Sequence, residues 1–235
     1  MRTTLPSIRI GGRSGTCPTL RHNITMTARL IPLFPLQVVV FPRTRLQLHI
    51  FEERYKEMIG DAIRDHSEFG VVLAKGNGIV SAGCTVMVEE VLETYADGRM
   101  DIVTRGLRRF EIVELSGEKA YLQAEVSFFD DDEDPAPVPA ELREQALSNY
   151  RDLSGLAASQ GRGEPDLEDP QLSFQLAQAL PDLDFLHALL ARRSETSRLK
   201  ELNHYLVGYI PRQRRIERVK HLAPTNGFGR GTAEL

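Results

Sequence analysis

Short apolar segments separated by turn residues run from Leu30 to Phe128, a pattern that predicts β-strands. In the last segment apolar and polar residues alternate from Leu122 to Phe128, as expected for a strand with one face in water. The pair Asp97-Gly98 suits a tight hairpin, because both residue types tolerate positive φ. About seven strands at this close spacing predict a small, closed or nearly closed β-barrel. The apolar segments are 30–41 (LIPLFP, then VVVF), 46–51, 69–75, 83–94, 100–104, 108–115 and 120–128.

One helix is predicted inside this strand-rich region. Apolar residues recur there at helical spacing, so residues 52–66 should form an amphipathic helix that buries one stripe. The charged residues between them, such as Glu57 and Arg64, would face water. The predicted stripe consists of Tyr55, Met58, Ile59, Ala62, Ile63 and His66.

Beyond residue 139 the apolar period becomes that of an α-helix. A first helix carries Leu142, Ala146, Tyr150, Leu153 and Ala157 and should stop at the glycines at 161 and 163. Asp169-Pro170 is typical of a helix start, with Asp as the N-cap and Pro in the first turn. Two further helices are predicted at 182–192 and 195–210, the second ending before Pro211. This half is therefore predicted to be a helical bundle.

Segments rich in charge, proline or glycine divide the chain into predicted units. Residues 130–139 combine five adjacent acids with three prolines, which favours an extended linker; a calcium loop is the alternative, but the ligand spacing of an EF-hand is missing. Residues 1–29 contain five arginines and no acid, and Met26 is a candidate true start. The predicted organisation is a disordered extension (1–29), a β-barrel domain (30–129), the linker (130–139), a helical domain (140–222) and a disordered tail (223–235).

Composition narrows the function classes only a little. The formal net charge is −4 over 235 residues, so the overall balance favours neither nucleic acid nor an anionic membrane. The two cysteines, Cys17 and Cys84, form no metal-binding or disulfide pattern, and a reducing cytoplasm is the simplest location. No apolar run reaches the length of a membrane-spanning helix.

Motifs of common enzymes are absent from the sequence. There is no GxxxxGK[ST] phosphate-binding loop, and no HExxH, GxSxG or CxxC. A Ser–Lys or Cys–His pair assembled by folding stays open, because such pairs need no sequence motif. We therefore expect no catalytic residues, no cofactor and no metal.

Two surfaces are candidate interaction sites, each with a structural alternative. The segment 51–55 joins a strand to the predicted helix; its Glu52 and Glu53 would also favour the helix dipole, and Arg54 and Tyr55 would also pack on the barrel. Apolar residues near the barrel rim could accept exposed hydrophobic segments or could belong to the core. They are Phe34, Leu36, Val39 and Phe41.

A basic stretch from Arg212 to Lys220 is opposed only by Glu217. It would bind phosphates or an acidic protein surface, or it would simply be a solvated helix end.

Several segments, taken in order, resemble the N-terminal domain of Lon proteases. They are LIPLFPLQVVVFPR (30–43), LQLHIFEERYKEMI (46–59), FGVVLA (69–74), Gly83 with VMVEEV, DGR (97–99), GLRRFEI (106–112), YLQAEV (121–126) and residues 172–206. The resemblance implies a PUA-like β-pseudo-barrel followed by helices, hence an α+β fold. Phe51, Glu53, Arg54 and Tyr55 match the family's strand-to-helix segment. Gly106, Arg108, Arg109 and Phe110 match its G-x-x-R-F segment, with Gly106 expected as a turn between strands.

The resemblance also implies a function. In Lon this unit captures unfolded or tagged proteins, so we expect a non-catalytic protein- or peptide-binding module, with unfolded client proteins as partners and a separate protease as a further candidate partner. The predicted binding residues are Phe34, Leu36, Phe41, Phe51, Glu53, Arg54, Tyr55, Arg108 and Arg109. RNA binding by a PUA-like barrel is the alternative, and an accessory part of an ATP-dependent Lon-type protease is the third hypothesis. The chain ends in the basic stretch where the family's enzymes have a long helix leading to the ATPase.

Overall fold

In the computed structural model the described residues are 29–132, 137–156 and 165–222, without the side chains of 156 and 220–222. Residues 1–28 of the predicted extension, with Met26, the predicted tail and the glycines at 161 and 163 lie outside them, whereas Arg29 is described and lies in a strand. The described residues form a mixed α+β fold of six strands and five helices. The strands are β1 (Arg29–Leu36), β2 (Arg45–Ile50), β3 (Phe69–Lys75), β4 (Gly78–Thr94), β5 (Met100–Ser116) and β6 (Gln123–Phe129). The helices are α1 (Glu53–Arg64), α2 (Ala140–Leu156), α3 (Leu172–Ala177), α4 (Leu183–Ala191) and α5 (Glu195–Leu222).

The strands form one sheet in the order β2-β5-β4-β3-β1-β6, and a further pairing of β5 with β6 closes it. β1 pairs with β3 in parallel and with β6 in antiparallel orientation. The segments 100–104 and 108–115, which sequence patterns separated, belong to the single long strand β5. The first part of β5 pairs with β2 and its second part with β6, while β4 follows it along most of its length.

The prediction that Gly106 makes a turn is wrong. Gly106 lies inside β5, where a Cβ atom would come within 2.1 Å of the carbonyl oxygen of Phe41. The Gly106 N–H donates to the carbonyl of Thr44 at 2.8 Å, and its carbonyl accepts from the N–H of Arg43 at 2.7 Å. Glycine is required here because the connection between β1 and β2 crosses β5 in direct contact.

The prediction of a strand at VVVF (38–41) is also wrong. Residues 37–44 form an irregular connection that buries Val40 and Phe41. It ends in a tight turn, with Arg43 at a φ of 63° and the Thr44 hydroxyl donating to the Phe41 carbonyl at 2.8 Å. Pro42 lacks the N–H that a strand ladder would use, so the apolar run is buried without joining the sheet.

The helix predicted at 52–66 is confirmed as α1. It buries Tyr55, Met58, Ile59 and Ala62, four members of the predicted stripe. His66 is exposed beyond the helix end, at a φ of 46°. The buried stripe joins the core that the sheet shares with the helices.

The helices pack against the sheet through one continuous core. Phe41 stacks on Phe174 of α3, with 4.8 Å between ring centroids. α3 begins after the predicted start, since the Asp169 carboxylate accepts from the N–H of Gln171 in a preceding turn. α2 lies along α5, where Asn149 donates to the side chain of Asn203 at 2.9 Å.

Helix α5 continues through Pro211, so its predicted end is wrong. The helix has 28 residues, and the basic stretch forms its last turns. Leu206 and Ile210 are buried before the proline, and Arg214 pairs with Asp152 of α2 after it. These contacts on both sides hold the helix together where Pro211 removes one donor. The expectation that the basic stretch stands in place of a long helix is therefore wrong, because the stretch is part of one.

Two buried arginines connect the sheet to the helices. Arg109 of β5 donates to the carbonyls of Leu190 and Arg192, at 3.2 and 2.6 Å. Arg198 of α5 donates to Ser173 and Glu195. Both guanidinium groups bind the carboxylate of Asp131, which lies in the predicted linker. The division into a barrel domain, a linker and a helical domain stays a prediction.

Within the described parts of the chain, no helix combines the length and the hydrophobicity needed to cross a bilayer.

Candidate functional site

A cleft of about 400 Å³ opens where the end of β1, the end of β2 and the start of α1 meet. Its lining is mostly apolar, with four charged or titratable side chains. The lining residues are Phe34, Pro35, Leu36, Leu48, His49, Ile50, Phe51, Glu52, Arg54 and Tyr55. The structure therefore brings together Phe34, Leu36, Phe51, Arg54 and Tyr55, which the sequence singled out as binding residues.

The floor of the cleft is part of a buried aromatic cluster. The rings of Phe34 and Tyr55 lie 4.2 Å apart, and those of Phe34 and Phe69 lie 6.5 Å apart. Phe34, Tyr55 and Ile50 are buried. Strand alternation places Ile50 inward, and the helical stripe turns Tyr55 toward the same core. These residues thus serve as both core and cleft wall.

Phe51 projects from the mouth of the cleft. It stands between β2 and α1, where the chain leaves the sheet, and 61% of its surface is exposed. Exposing a large aromatic ring to water is unfavourable by roughly 25 cal/mol per Å² of apolar surface. A partner that covered Phe51 would recover this free energy.

Arg54 and Glu52 form the polar rim. The Arg54 guanidinium lies 4.5 Å from the centroid of the Tyr55 ring, and it donates to the Glu52 carboxylate at 2.9 Å through Nε. Burial raises the pKa of the Tyr55 hydroxyl, with the Arg54 charge lowering it and the Glu52 charge raising it. Tyr55 is consequently neutral around pH 7.

His49 positions the Phe51 side of the cleft. Its Nδ1 lies 2.6 Å from the Asp101 carboxylate, which also accepts from the Tyr95 hydroxyl at 2.7 Å. The hydrogen bonds from His49 and Tyr95 hold the pKa of Asp101 below its usual value. The same bond to Asp101 is the main cause that raises the pKa of Tyr95 to about 12. The His49 ring stacks on Phe51, with 6.0 Å between centroids.

Sequence reasoning did not find Pro35, Leu48, His49 and Ile50 as cleft residues. Leu48 and Ile50 lie two residues apart in β2 and so face the same side of the sheet, but the sequence contains no signal that this face ends at a cleft. His49 and Asp101 pair only through the register of β2 with β5, which the sequence does not show.

Four of the predicted binding residues lie away from the cleft. Phe41 is in the core, and Glu53 points into solvent, where it pairs with Lys56. Arg108 lies on the ring of Phe128, 3.8 Å from its centroid, and pairs with Glu68. Arg109 is 2% exposed and is enclosed by its bonds to Asp131 and the helices.

The basic stretch is exposed along the end of α5. Arg212, Arg215 and Arg218 face solvent, while Arg214 pairs with Asp152 at 2.9 Å. The side chain of Lys220 lies outside the described residues. The stretch does not contribute to the cleft lining.

Solved structures of Lon N-terminal domains share this architecture. The crystal structure of a Lon N-terminal domain protein from Xanthomonas campestris matches 74% of this chain and 96% of its own, with a TM-score of 0.60 and 26% identity. The N-terminal domain of the Mycobacterium avium complex Lon protease matches 76% of this chain and 98% of its own, with a TM-score of 0.55. Its sequence identity is 19%, so that likeness concerns the fold alone.

Sequence comparison gives the family. The family model for the substrate-binding domain of the ATP-dependent protease La (LON) matches residues 30–208. The chain belongs to the LON substrate-binding domain family, as the sequence resemblance predicted. It is 29% identical to the Lon protease of Parabacteroides distasonis over 133 residues and 30% identical to Lon protease 2 of Myxococcus xanthus over 112 residues. These matches span 53% and 44% of this chain but only 16% and 13% of the two relatives.

Proposed function

We propose that this protein binds exposed hydrophobic segments of unfolded client proteins, without a catalytic step, in the service of proteolysis or quality control. The observation that carries the proposal is the exposed ring of Phe51 at the mouth of an apolar cleft. Membership in a family described as substrate-binding supports it. A cytoplasmic location is part of the proposal, since the free thiol of Cys84 suits a reducing compartment.

The chemistry of the cleft sets the expected preference. A space of about 400 Å³ accommodates only a few side chains, and its floor is aromatic and aliphatic. The polar groups at the rim already pair with each other, Arg54 with Glu52 and His49 with Asp101. Apolar side chains from an unfolded chain therefore meet a matching surface without leaving a buried charge unpaired.

We also propose the finer architecture that the resemblance implies. The closed ring of strands supports a PUA-like barrel, and the packing of α2 and α3 against α5 supports a helical bundle. An accessory role beside a Lon-type protease belongs to the same proposal, because the relatives reported above are Lon proteases.

The test compares two exposed apolar residues. Phe51→Ala should weaken binding of fluorescently labelled, reduced and carboxymethylated lactalbumin by about tenfold, and leave the melting temperature unchanged. Val113→Ala is the matched control, since Val113 is 59% exposed on β5 and does not line the cleft. It should bind as the unmutated protein does. Equal binding by all three proteins would remove the cleft from the proposal, and failure of the unmutated protein to bind the probe would end it.

A second comparison distinguishes a residue that binds clients from one that stabilises the fold. Arg54→Glu places two acids side by side at the rim and should weaken capture with little loss of stability, whereas Tyr55→Ala should cost about 3–5 kcal/mol of unfolding free energy. Melting curves and binding titrations of both variants give the answer. A labelled RNA oligonucleotide in the same titration tests the nucleic-acid alternative, which predicts tighter binding of RNA than of unfolded protein.

A further inference from the structure

Strand β2 has one unpaired edge. Among the described strands it pairs only with β5, and no other described strand or loop donates to or accepts from its opposite edge. An unpaired edge offers a row of main-chain donors and acceptors to any extended chain.

The register shows which residues face this edge. Gly106 of β5 donates to the carbonyl of Thr44, and pairing continues from there two residues at a time, so Leu46, Leu48 and Ile50 hold the main-chain bonds to β5. The N–H and C=O groups of Arg45, Gln47 and His49 consequently point to the free edge. These three residues are exposed.

Folded proteins often block such an edge with charged side chains, but those of β2 are held back over the sheet. Arg45 donates to Glu89 of β4 at 2.8 Å, and His49 pairs with Asp101 of β5 at 2.6 Å. Both acids lie on the sheet side of β2. As far as the described residues show, the main chain at the edge is therefore left accessible, although Arg45 and His49 lie on it.

The free edge borders the cleft. Leu48, His49 and Ile50 of β2 belong to the cleft lining, and Phe51 follows directly. Successive side chains of an added strand point to opposite faces of the sheet, so every second one would be directed toward the face that bears the cleft.

We propose that a client segment binds as an added strand on the free edge of β2, with apolar side chains at alternate positions entering the cleft. The inference rests on the proposed function and specifies its substrate: an extended, non-helical polypeptide in which apolar and polar residues alternate. Main-chain hydrogen bonds would supply affinity for many sequences, and the cleft would select for apolar side chains.

A single substitution removes an edge donor. Gln47→Pro deletes an N–H that faces the free edge and leaves the bonds between β2 and β5 in place, because proline is tolerated at edge positions of this kind. It should weaken binding of a labelled dodecapeptide, in which Phe and Leu alternate with Thr and Lys, by about tenfold. Unchanged affinity in a folded Gln47→Pro variant would overturn the inference.

N-methylated peptides test main-chain bonding to the free edge on the unmutated protein. This test remains valid even if Gln47→Pro fails to fold. One version of the dodecapeptide is methylated on the backbone nitrogens of its even residues and the other on those of its odd residues. Since alternate N–H groups point to opposite edges and the apolar side chains fix which face enters the cleft, only one version should lose binding.

Each outcome has a distinct meaning. Loss of binding by one version alone supports strand addition. Equal affinity of both versions for the protein, with the unmethylated peptide bound, overturns strand addition and leaves the proposed function standing. Absence of binding by the unmethylated peptide and by unfolded lactalbumin overturns the proposed function and this inference with it.

Discussion

Arg198 holds both carboxylate oxygens of Asp131, through Nη1 at 2.5 Å and Nη2 at 2.6 Å. Asp131 Oδ1 also accepts from Arg109 at 2.6 Å. Both arginines are almost completely buried, one on β5 and the other on α5. One acid between the sheet and the helices thus binds a cation from each, and Glu195 supplies a second carboxylate to Arg198. The two halves of the fold depend on the carboxylate of Asp131.

Asp131→Asn should therefore lower the free energy of unfolding by about 3 kcal/mol, because removing one partner leaves buried charge uncompensated. Asp132→Asn is the control. Asp132 is exposed, and its N–H, which the substitution keeps, donates to the carbonyl of Arg193. Urea denaturation measures both variants; an equal effect of the two substitutions would contradict a special role for Asp131.

The contribution of Asp131 should depend on pH. Burial acts to raise its pKa, but the hydrogen bonds and charges of Arg198 and Arg109 outweigh burial and hold the pKa below its ordinary 3.8. A carboxyl group with a lowered pKa stabilises the folded state fully above its ordinary pKa, and this stabilisation is lost as the pH falls through the lowered value. The stability difference between the unmutated protein and Asp131→Asn should be constant from about pH 7 to about pH 5 and should shrink below about pH 4. A difference that persists undiminished at about pH 2 would show that the acid acts through its shape and not its charge.

Two glycines should respond to alanine in opposite ways. Gly106→Ala places a methyl group against the main chain of Phe41 and should destabilise by about 2 kcal/mol or more. Gly60→Ala lies on the exposed face of α1 with no neighbour within 4 Å and should stabilise by about 0.5–1 kcal/mol, since alanine favours a helix. Thermal unfolding of both variants checks the pair. A neutral Gly106→Ala would mean that the turn at Arg43 can move away from β5.

Cys84 should be inert in the folded protein. Burial raises the pKa of its thiol to about 12, against smaller lowering effects of a main-chain hydrogen bond and of Arg109. Only the thiolate reacts quickly with disulfide reagents, and the sulfur is enclosed. In a Cys17→Ser variant Ellman's reagent at about pH 8 should detect a thiol only after denaturant is added. Rapid reaction without denaturant would show that the strands around Cys84 open readily.

Local periodicity predicted the elements that bury one face. α1 was predicted almost to the residue, because its apolar stripe has helical spacing and the charged residues lie opposite. The VVVF run was wrongly predicted to be a strand. A run of apolar residues indicates burial, and Val40 and Phe41 are buried, but a buried segment need not be a strand. The helix was predicted to end before Pro211 because proline is unfavourable in a helix interior. The contact that supports α5 beyond Pro211 comes from Asp152 of α2, which local sequence does not show.

The candidate site was predictable only in part. The segment from Phe51 to Tyr55 stood out because it joins a strand to a helix with an aromatic residue at each end. The pairing of His49 with Asp101, and the assembly of Phe34 beside Tyr55, depend on strand register and on tertiary contact. Arginine is usually a surface residue, and only the position of Asp131 and Arg198 explains why Arg109 is buried.

The pairing of β1 with β6 has a consequence for synthesis of the chain. The residues of the cleft end at Tyr55, but the ring of strands closes only when β6 has left the ribosome. At about 5–20 residues per second the delay is on the order of several seconds. Throughout that interval the edge of β1 that pairs with β6 has no partner strand. During its own synthesis, the protein is therefore an incompletely folded chain of the kind that it is proposed to bind.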